Sequence, residues 1–362
     1  MPRFAAGSVG QQGKKSMTVN WFAAAMDIEA LEDAPFDSDI VARLQKAADL
    51  LASRPIRFST PTFKEFSSEE LSGCSKNSFP AFSITAGACA LMCDHCEANI
   101  LDPMIPATSP EMLEQKVRDM VLLQNLQGFL LSGGSNRRNE IAYERFYPVI
   151  EKLKGEFPHL RIAIHSALLD QERAKRMEAA GVDTAMMDVI GAQETIRDVY
   201  HLDRPVDDFE STLAALCSTS MEVVPHIVIG LHYGRTLGEA NALDICARHG
   251  IHALVLVVVM PFYAKAGTFA TPATRDVGEI FIEARERLGD KQVLLGCARP
   301  PGMARRVIDS YAVMAGLDGI AFPADGMVAL ADAIGRPYHQ EHACCSIKLG
   351  GEGDTARGQC AA

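Results

Sequence analysis

From residue 80 onward the chain alternates short aliphatic, β-branched runs with stretches of helical spacing, and this alternation constrains the fold more than any other feature. The runs are Phe82–Thr85, Gly128–Leu131, Arg161–Ile164, Thr184–Asp188, Val223–Ile229, Ala253–Met260, Val293–Leu295 and Gly319–Phe322. Parallel strands buried on both faces read as continuous Val/Ile/Leu runs, and LVLVVVM ending at Met260 is of that kind. After the first run, Ser109 is placed as an N-cap with Pro110 at N1, and Leu113, Val117, Met120 and Val121 form an apolar stripe. After the fourth, Phe209, Leu213, Leu216 and Cys217 repeat the same spacing. Eight such units in series predict an α/β protein of the (β/α)8 TIM-type barrel class, with a six-unit partial barrel as the alternative.

Around the barrel, assigned to residues 79–335, the chain divides further. Residues 1–20 read as a flexible N-terminus, with Met17 a candidate alternative start, and 21–78 as an N-terminal extension. In that extension Ile40, Leu44, Ala47 and Leu51 share one helical face, followed by the extended IRFSTPTFKEF. Residues 336–362 form a C-terminal segment whose Gly-rich end is expected to be mobile.

Hydrophobic residues make up 48% of the 362 and charged residues 22%, enough apolar material to offset the entropy of ordering most of the chain. The net charge of −11 argues against a nucleic acid or an anionic membrane held by bulk charge. No apolar run approaches the ~18 residues of a bilayer span, and no secretory h-region follows Met1. The expected location is the cytoplasm. In that reducing compartment the ten cysteines are candidates for metal or redox work rather than a disulfide framework.

Three of them stand in Cys89-Ala-Leu-Met-Cys93-Asp-His-Cys96, directly after the first barrel strand. Such barrels build their sites from loops at the C-terminal strand ends. Three thiolates at this spacing can converge on one compact metal centre. A cubane cluster accepts three and leaves one iron open, whereas structural zinc sites usually take four ligands. Zinc binding and plain buried cysteines are the competing readings.

The CxxxCxxC loop resembles the hallmark of the radical S-adenosylmethionine (SAM) enzymes. That resemblance implies that Cys89, Cys93 and Cys96 bind a [4Fe–4S] cluster whose open iron chelates SAM. It further implies reductive cleavage of SAM to a 5′-deoxyadenosyl radical that abstracts substrate hydrogen. His95 stands where the family usually has an aromatic residue beside the adenine. Ser132-Gly133-Gly134-Ser135 resembles the glycine motif that meets the SAM amino group, and Ile229-Gly230 the segment that contacts adenine. His165, Ser166 and Asp188 end the third and fourth strands, where ribose and methionine atoms need partners, and Arg204 is a candidate for a carboxylate. For the three strand-end residues a satisfied core or rim role is the competing reading, for Arg204 an exposed charge, and for the Gly-Gly pair an ordinary turn.

The stretch from Phe79 to the CC pair resembles one subgroup more specifically: the biotin-synthase-related proteins that form the two-subunit lipoyl synthase of archaea and some bacteria. The strings that carry it are CALMCDHC, LLSGGS, IRDVYHL, PHIVIGLHYG with the following GE, GCARPPG and CCS. The resemblance implies a sulfurtransferase that inserts sulfur into an octanoyl chain on a protein lysine, with a second, auxiliary Fe–S cluster consumed as sulfur donor. Its implied partners are a paralogous radical SAM subunit, an octanoylated carrier protein as substrate and an external electron donor. Cys74, Cys297, Cys344 and Cys345 are the candidate auxiliary ligands, and the adjacent pair can both ligate one cluster only with strain. Cys217 and Cys246 read as core, and Cys360 as an idle residue of the tail. One departure from the subgroup is that Pro261 stands apart from Gly267-Thr268, which puts the substrate rim in question. Two other readings stay open: a single-cluster radical SAM enzyme of methylase or mutase type, and a non-catalytic metal-stabilised scaffold.

Overall fold

The computed structural model describes residues 19–47, 54–60, 66, 68–71, 79–342 and 346–347. Met17, Leu51, Cys74, Cys344, Cys345 and Cys360 lie outside the described residues. All eight strands expected from the sequence form: β2 (Ala81–Ser83), β4 (Gly128–Ser132), β5 (Arg161–His165), β6 (Thr184–Asp188), β7 (Glu222–Ile229), β8 (Ala253–Val258), β9 (Gln292–Leu295) and β10 (Gly319–Ala321). Three short strands join them: β1 (Ile56–Ser59), β3 (Ile105–Pro106) and β11 (Tyr338–Glu341). Every pairing is parallel, in the order β11-β1-β10-β9-β8-β7-β6-β5-β4-β2-β3. The sheet curls into a partial barrel. Among the described residues β2 does not pair with β10; β3 takes one edge, while β1 and β11 extend the other. The extended stretch before the barrel and the segment after it thus both add to the sheet.

The helices cover the outer face. In the helix Pro110–Gln124 the Ser109 hydroxyl accepts from the Met112 N–H at 3.2 Å, Pro110 occupies the first turn, and Leu113 and Val117 are fully buried. This is the cap and stripe expected from the sequence. In the helix Val206–Cys217, Phe209, Leu213 and Leu216 face the sheet. Met303–Met314 buries Asp309 completely, where its carboxylate takes Arg299 Nη2 at 2.8 Å with neither side chain exposed.

The inner face is a separate apolar layer. Ala163, Met186, Val224, Val255 and Leu294 pack there with Leu130, Val257, Phe79 and Ile347, the last supplied by the C-terminal segment. Side chains alternate across a strand, so residues two positions further on share this face. That rule carries Ser132, His165, Asp188 and His226 onto the inner face, above Leu130, Ala163, Met186 and Val224 and toward the C-terminal strand ends. The result is an apolar floor beneath a polar rim.

Candidate functional site

Cys89, Cys93 and Cys96 occupy the loop that leaves β2 at that rim. The loop is tightly wound: the carbonyl of Cys93 accepts from both Cys96 N–H (3.1 Å) and Glu97 N–H (2.9 Å). Met92, Glu97 and Ala98 take positive φ values of 46°, 42° and 65°, a left-handed conformation that costs side-chain-bearing residues about 1–3 kcal/mol each. Surrounding contacts must hold the loop in that shape.

Two sets of contacts do so. The first comes from the glycine motif after β4. Gly134 N–H donates to Thr85 Oγ1 at 2.7 Å, and Ala90 N–H donates to the Ser135 carbonyl at 2.9 Å. A Cβ on Gly134 would stand 2.0 Å from the Ala88 carbonyl oxygen and 2.6 Å from Cys89 Cα. The motif is therefore glycine because the cysteine loop lies directly on its backbone. The second set centres on Asp94, which sequence reasoning passed over. Its buried carboxylate meets His201 Nε2 at 2.9 Å, the Tyr233 hydroxyl at 3.3 Å and Lys265 Nζ at 3.8 Å. Its backbone N–H donates to the Val199 carbonyl, and its own carbonyl accepts from Lys265 N–H at 2.8 Å. Asp94 thereby ties the cysteine loop to the loops after β6, β7 and β8.

The three thiols lie within electrostatic reach of one another. Burial pushes the Cys93 thiol far above its ordinary range, with Cys96 and Cys89 adding to the rise. Burial, with Cys89 as a further contributor, pushes Cys96 up to about 11. Such thiols stay protonated until a cationic centre stabilises the thiolates. Among the described residues no three of His, Cys, Asp and Glu meet at the spacing of a single metal ion. A cubane presents separate irons, so its thiolates need not converge on one point.

Asp188 and Tyr200 lie within electrostatic reach of the thiols, and His95, His165 and His226 surround Asp188. His95 stacks on Tyr200 with ring centroids 5.0 Å apart, and among the described residues both His95 Nδ1 and the Tyr200 hydroxyl are buried without a hydrogen-bond partner. Burial lowers His95 to about 4, against the pull of Asp188 and Asp94. Asp188 keeps 32% of its side-chain surface, so it borders a space rather than filling the core. Burial acts to raise its pKa, but the neighbouring His165, with the charges of His226 and His95, brings it down to about 2. His165 Nε2 stands 3.6 Å from Asp188 Oδ1, and the His165 and His226 rings meet edge-on at 5.4 Å. Burial, with His165 beside it, lowers His226 to about 4.

The remaining candidates are distributed as follows. Gly230 has φ +78°, its N–H donates to Glu239 Oε1 at 2.8 Å, and a Cβ there would strike Pro272. Ile229 is fully buried, with its carbonyl accepting from Val259 N–H. Ser166 is buried on the opposite side of β5 from His165, beside Tyr143 and Tyr147. Arg204 pairs with Asp208 at 3.2 Å and lines a separate cavity of about 630 Å³ with Glu140, Arg173 and Leu168. Cys297 follows β9 and packs beside Phe66, Ala321 and Phe322, while Cys217 and Cys246 sit on outer helices against the core. The sequence held signals for the residues it did not single out: Asp94 and Tyr200 lie inside CALMCDHC and IRDVYHL. The alternation Val224-x-His226 assigns His226 to the same face as Val224.

Residues 83–246, which span the cysteine loop, the glycine motif and the first polar strand ends, match the model of the Radical SAM superfamily. Solved structures share the fold of this chain. One is a maturase of the [FeFe]-hydrogenase, HydG, at TM-score 0.55 and 13% identity over 79% of this chain and 62% of that one. Another is HydG from Carboxydothermus hydrogenoformans, at 0.53 and 16% over 83% and 66%. A third is methylornithine synthase (PylB), at 0.51 and 11% over 78% and 77%. The chain thus spans less than two thirds of the length of either maturase. No curated protein sequence matches it. The match is in keeping with the [4Fe–4S] cluster and SAM expected from the cysteine loop, and the residues present suit them: thiols within electrostatic reach of one another, a backbone cradle at Gly134, and, among the described residues, two buried polar atoms without partners on His95 and Tyr200. No helix among the described residues is long and apolar enough to cross a membrane.

Proposed function

We propose that the chain is a radical SAM enzyme in which Cys89, Cys93 and Cys96 hold the [4Fe–4S] cluster and the inner polar rim receives SAM. The observation that carries this reading is the packing of the cysteine loop onto Gly134 and Ser135, with the thiols within electrostatic reach of Asp188. When bound, the cluster and SAM supply one-electron cleavage of a carbon–sulfur bond, and with it a carbon radical able to take hydrogen from an unactivated methylene. The chain's own residues have narrower tasks. Ser132 to Ser135 offer backbone and hydroxyl groups to an amino group. Asp188, kept ionised by His165, accepts hydrogen bonds from hydroxyls or an ammonium, and His95 offers a neutral ring face. Gly230, fixed by Glu239, keeps the backbone open beside Ile229. The apolar floor excludes water from whatever radical forms above it.

The finer reading is a sulfurtransferase of the lipoyl synthase type, acting on an octanoyl chain carried by a protein lysine. It works with a paralogous subunit, an external electron donor and an auxiliary cluster on Cys297 with Cys74, Cys344 or Cys345. Its support is the set of sequence strings named above and the position of Cys297 at the mouth end of β9. A single-cluster enzyme of methylase or mutase type is favoured by a different observation, the apolar packing of Cys297 against Phe66 and Phe322, which suits a structural cysteine. Incubation with an octanoyl-lysyl carrier, SAM and reductant, with and without the paralogous subunit, separates them by mass. Gain of sulfur supports the first reading, and cleavage of SAM without sulfur gain supports the second.

A further inference from the structure

Residues 259–273 join β8 to the helix Thr274–Leu288, a length at which connections without secondary structure usually serve as lids or binding loops. The second half of this connection is packed onto the loop after β7. Phe269 meets the Tyr233 ring at 5.1 Å, and Ala270 N–H donates to the Tyr233 carbonyl at 3.3 Å. A Cβ on Gly234 would stand 2.2 Å from the Ala270 carbonyl oxygen, and one on Gly230 would stand 2.3 Å from Pro272 Cγ. The first half, 261–268, is held by other means. Lys265 N–H donates to the Asp94 carbonyl at 2.8 Å, and the Asn99 side-chain amide donates to the Tyr263 carbonyl at 3.0 Å. Lys265 Nζ stands 3.8 Å from Asp94 Oδ1. These contacts bracket residues 94–99, the stretch of the cysteine loop that follows Cys93 and carries Cys96. Cys93 is 5% exposed and Cys96 half-buried. The other side of the arm is open: Phe262 is 61% exposed, and Gly267, at φ +73°, has nothing within 4 Å of where its Cβ would lie.

We propose that residues 261–268 form a lid over the cysteine loop, latched at Asp94 and Asn99, which must lift before iron or a thiol reagent reaches Cys93 and Cys96. The identity of what passes beneath the lid rests on the cluster reading given above; the lid itself does not. Its movement is confined between two fixed points, Val259, whose N–H donates to the Ile229 carbonyl at 3.0 Å, and Phe269 on Tyr233. A segment held by so few contacts opens at a small fraction of the free energy of global unfolding. One movement breaks the Lys265–Asp94 bond and uncovers the thiols, so both events follow a single equilibrium. A cluster that holds the cysteine loop in its wound shape also holds the latch atoms in place, and by linkage its loading slows the opening.

The test uses the full chain without cluster, comparing wild type with Asn99→Ala. Timed alkylation with N-ethylmaleimide is read cysteine by cysteine by peptide mass, and hydrogen exchange is read at the Lys265 amide. In wild type, Lys265 is expected to exchange well ahead of the amides of β8. Asn99→Ala should speed that exchange and the alkylation of Cys93 and Cys96 together, by about two- to tenfold, the worth of one hydrogen bond to the closed state. Cys217, on its outer helix, should keep its wild-type rate. Asn99→Leu, which fills the space without a donor, repeats the comparison should the alanine variant not fold. Faster exchange at Lys265 with unchanged alkylation of Cys93 and Cys96 overturns the proposal, because the arm then moves without uncovering the thiols. So does a Lys265 amide as protected as those of β8, or an equal rise at Cys217, which marks loosening of the whole barrel. Reconstitution with iron and sulfide should slow exchange at Lys265, and an unchanged rate in a chain that holds a cluster also overturns the proposal. A wild type that takes up no cluster, while its alkylation and exchange follow the lid, refutes the cluster reading instead, so the two failures are distinguishable.

Discussion

Gly134→Ala is the smallest change that should separate the cysteine loop from its support. The added methyl would lie 2.0 Å from the Ala88 carbonyl oxygen, 2.6 Å from Cys89 Cα and 2.7 Å from Cys89 Cβ, where real contacts of this kind stay beyond 3.0 Å. Two of the three obstacles are backbone atoms, so no rotamer change relieves the clash, and the loop must retreat by about 1 Å. That retreat breaks or stretches the bonds from Ala90 N–H to Ser135 (2.9 Å) and from Gly134 N–H to Thr85 (2.7 Å). Overpacking and two lost hydrogen bonds together amount to about 2–6 kcal/mol, felt locally, because the strands beneath do not depend on them. The lower end corresponds to a roughly thirty-fold loss of iron affinity. Reconstitution at graded iron concentrations measures it, and hydrogen exchange at Ala90 reports the opening independently. Gly155→Ala, at a helical site with nothing within 4 Å, is the control and should be neutral or stabilise by up to about 0.5–1 kcal/mol. A Gly134→Ala protein with wild-type iron affinity and wild-type protection at Ala90 would refute the reasoning.

Three further outcomes are expected. Arg299→Met leaves the buried Asp309 carboxylate with only the Ala324 N–H and the more distant Arg305 Nε at 3.9 Å, and should destabilise by about 3–5 kcal/mol in denaturant unfolding, much of it recovered in the double variant with Asp309→Leu. His226 has its folded pKa depressed to about 4, so its contribution is complete above pH ~6.5 and is lost as pH falls toward 4. Cluster-free wild type should therefore lose stability across that window by up to about 1.4 kcal/mol per unit more than His226→Asn, and parallel pH profiles would exclude the assignment. Cys297→Ala should still cleave SAM but form no carbon–sulfur bond on an octanoyl-lysyl peptide; undiminished thiolation in that variant would remove Cys297 from the auxiliary site.

The strands were legible because burial on both faces leaves uninterrupted aliphatic runs, and the Ser109-Pro110 start because capping chemistry is local. The way the sheet ends was not. Closure depends on what reaches the edge strands, and here IRFS and YHQE supply β1 and β11 from residues distant in sequence. Within the site, cysteine spacing and the Gly-Gly pair could be read, but their mutual contact could not, since it joins loops more than forty residues apart. Asp94 escaped notice for the same reason: its partners His201, Tyr233 and Lys265 come from three other loops. Ser166 turns to the opposite side of β5 from His165, as strand alternation already dictates, and Arg204 pairs with Asp208 at 3.2 Å. His226 could have been found by that same rule.

Iron content after anaerobic reconstitution, with wild type compared to the triple variant of Cys89, Cys93 and Cys96 to alanine, decides whether the cysteine loop holds the cluster. Wild type should hold a cluster whose paramagnetic signal changes on adding SAM, and the triple variant should lose about four irons and all of that response. A triple variant that keeps the wild-type iron and the SAM-dependent change would contradict that assignment.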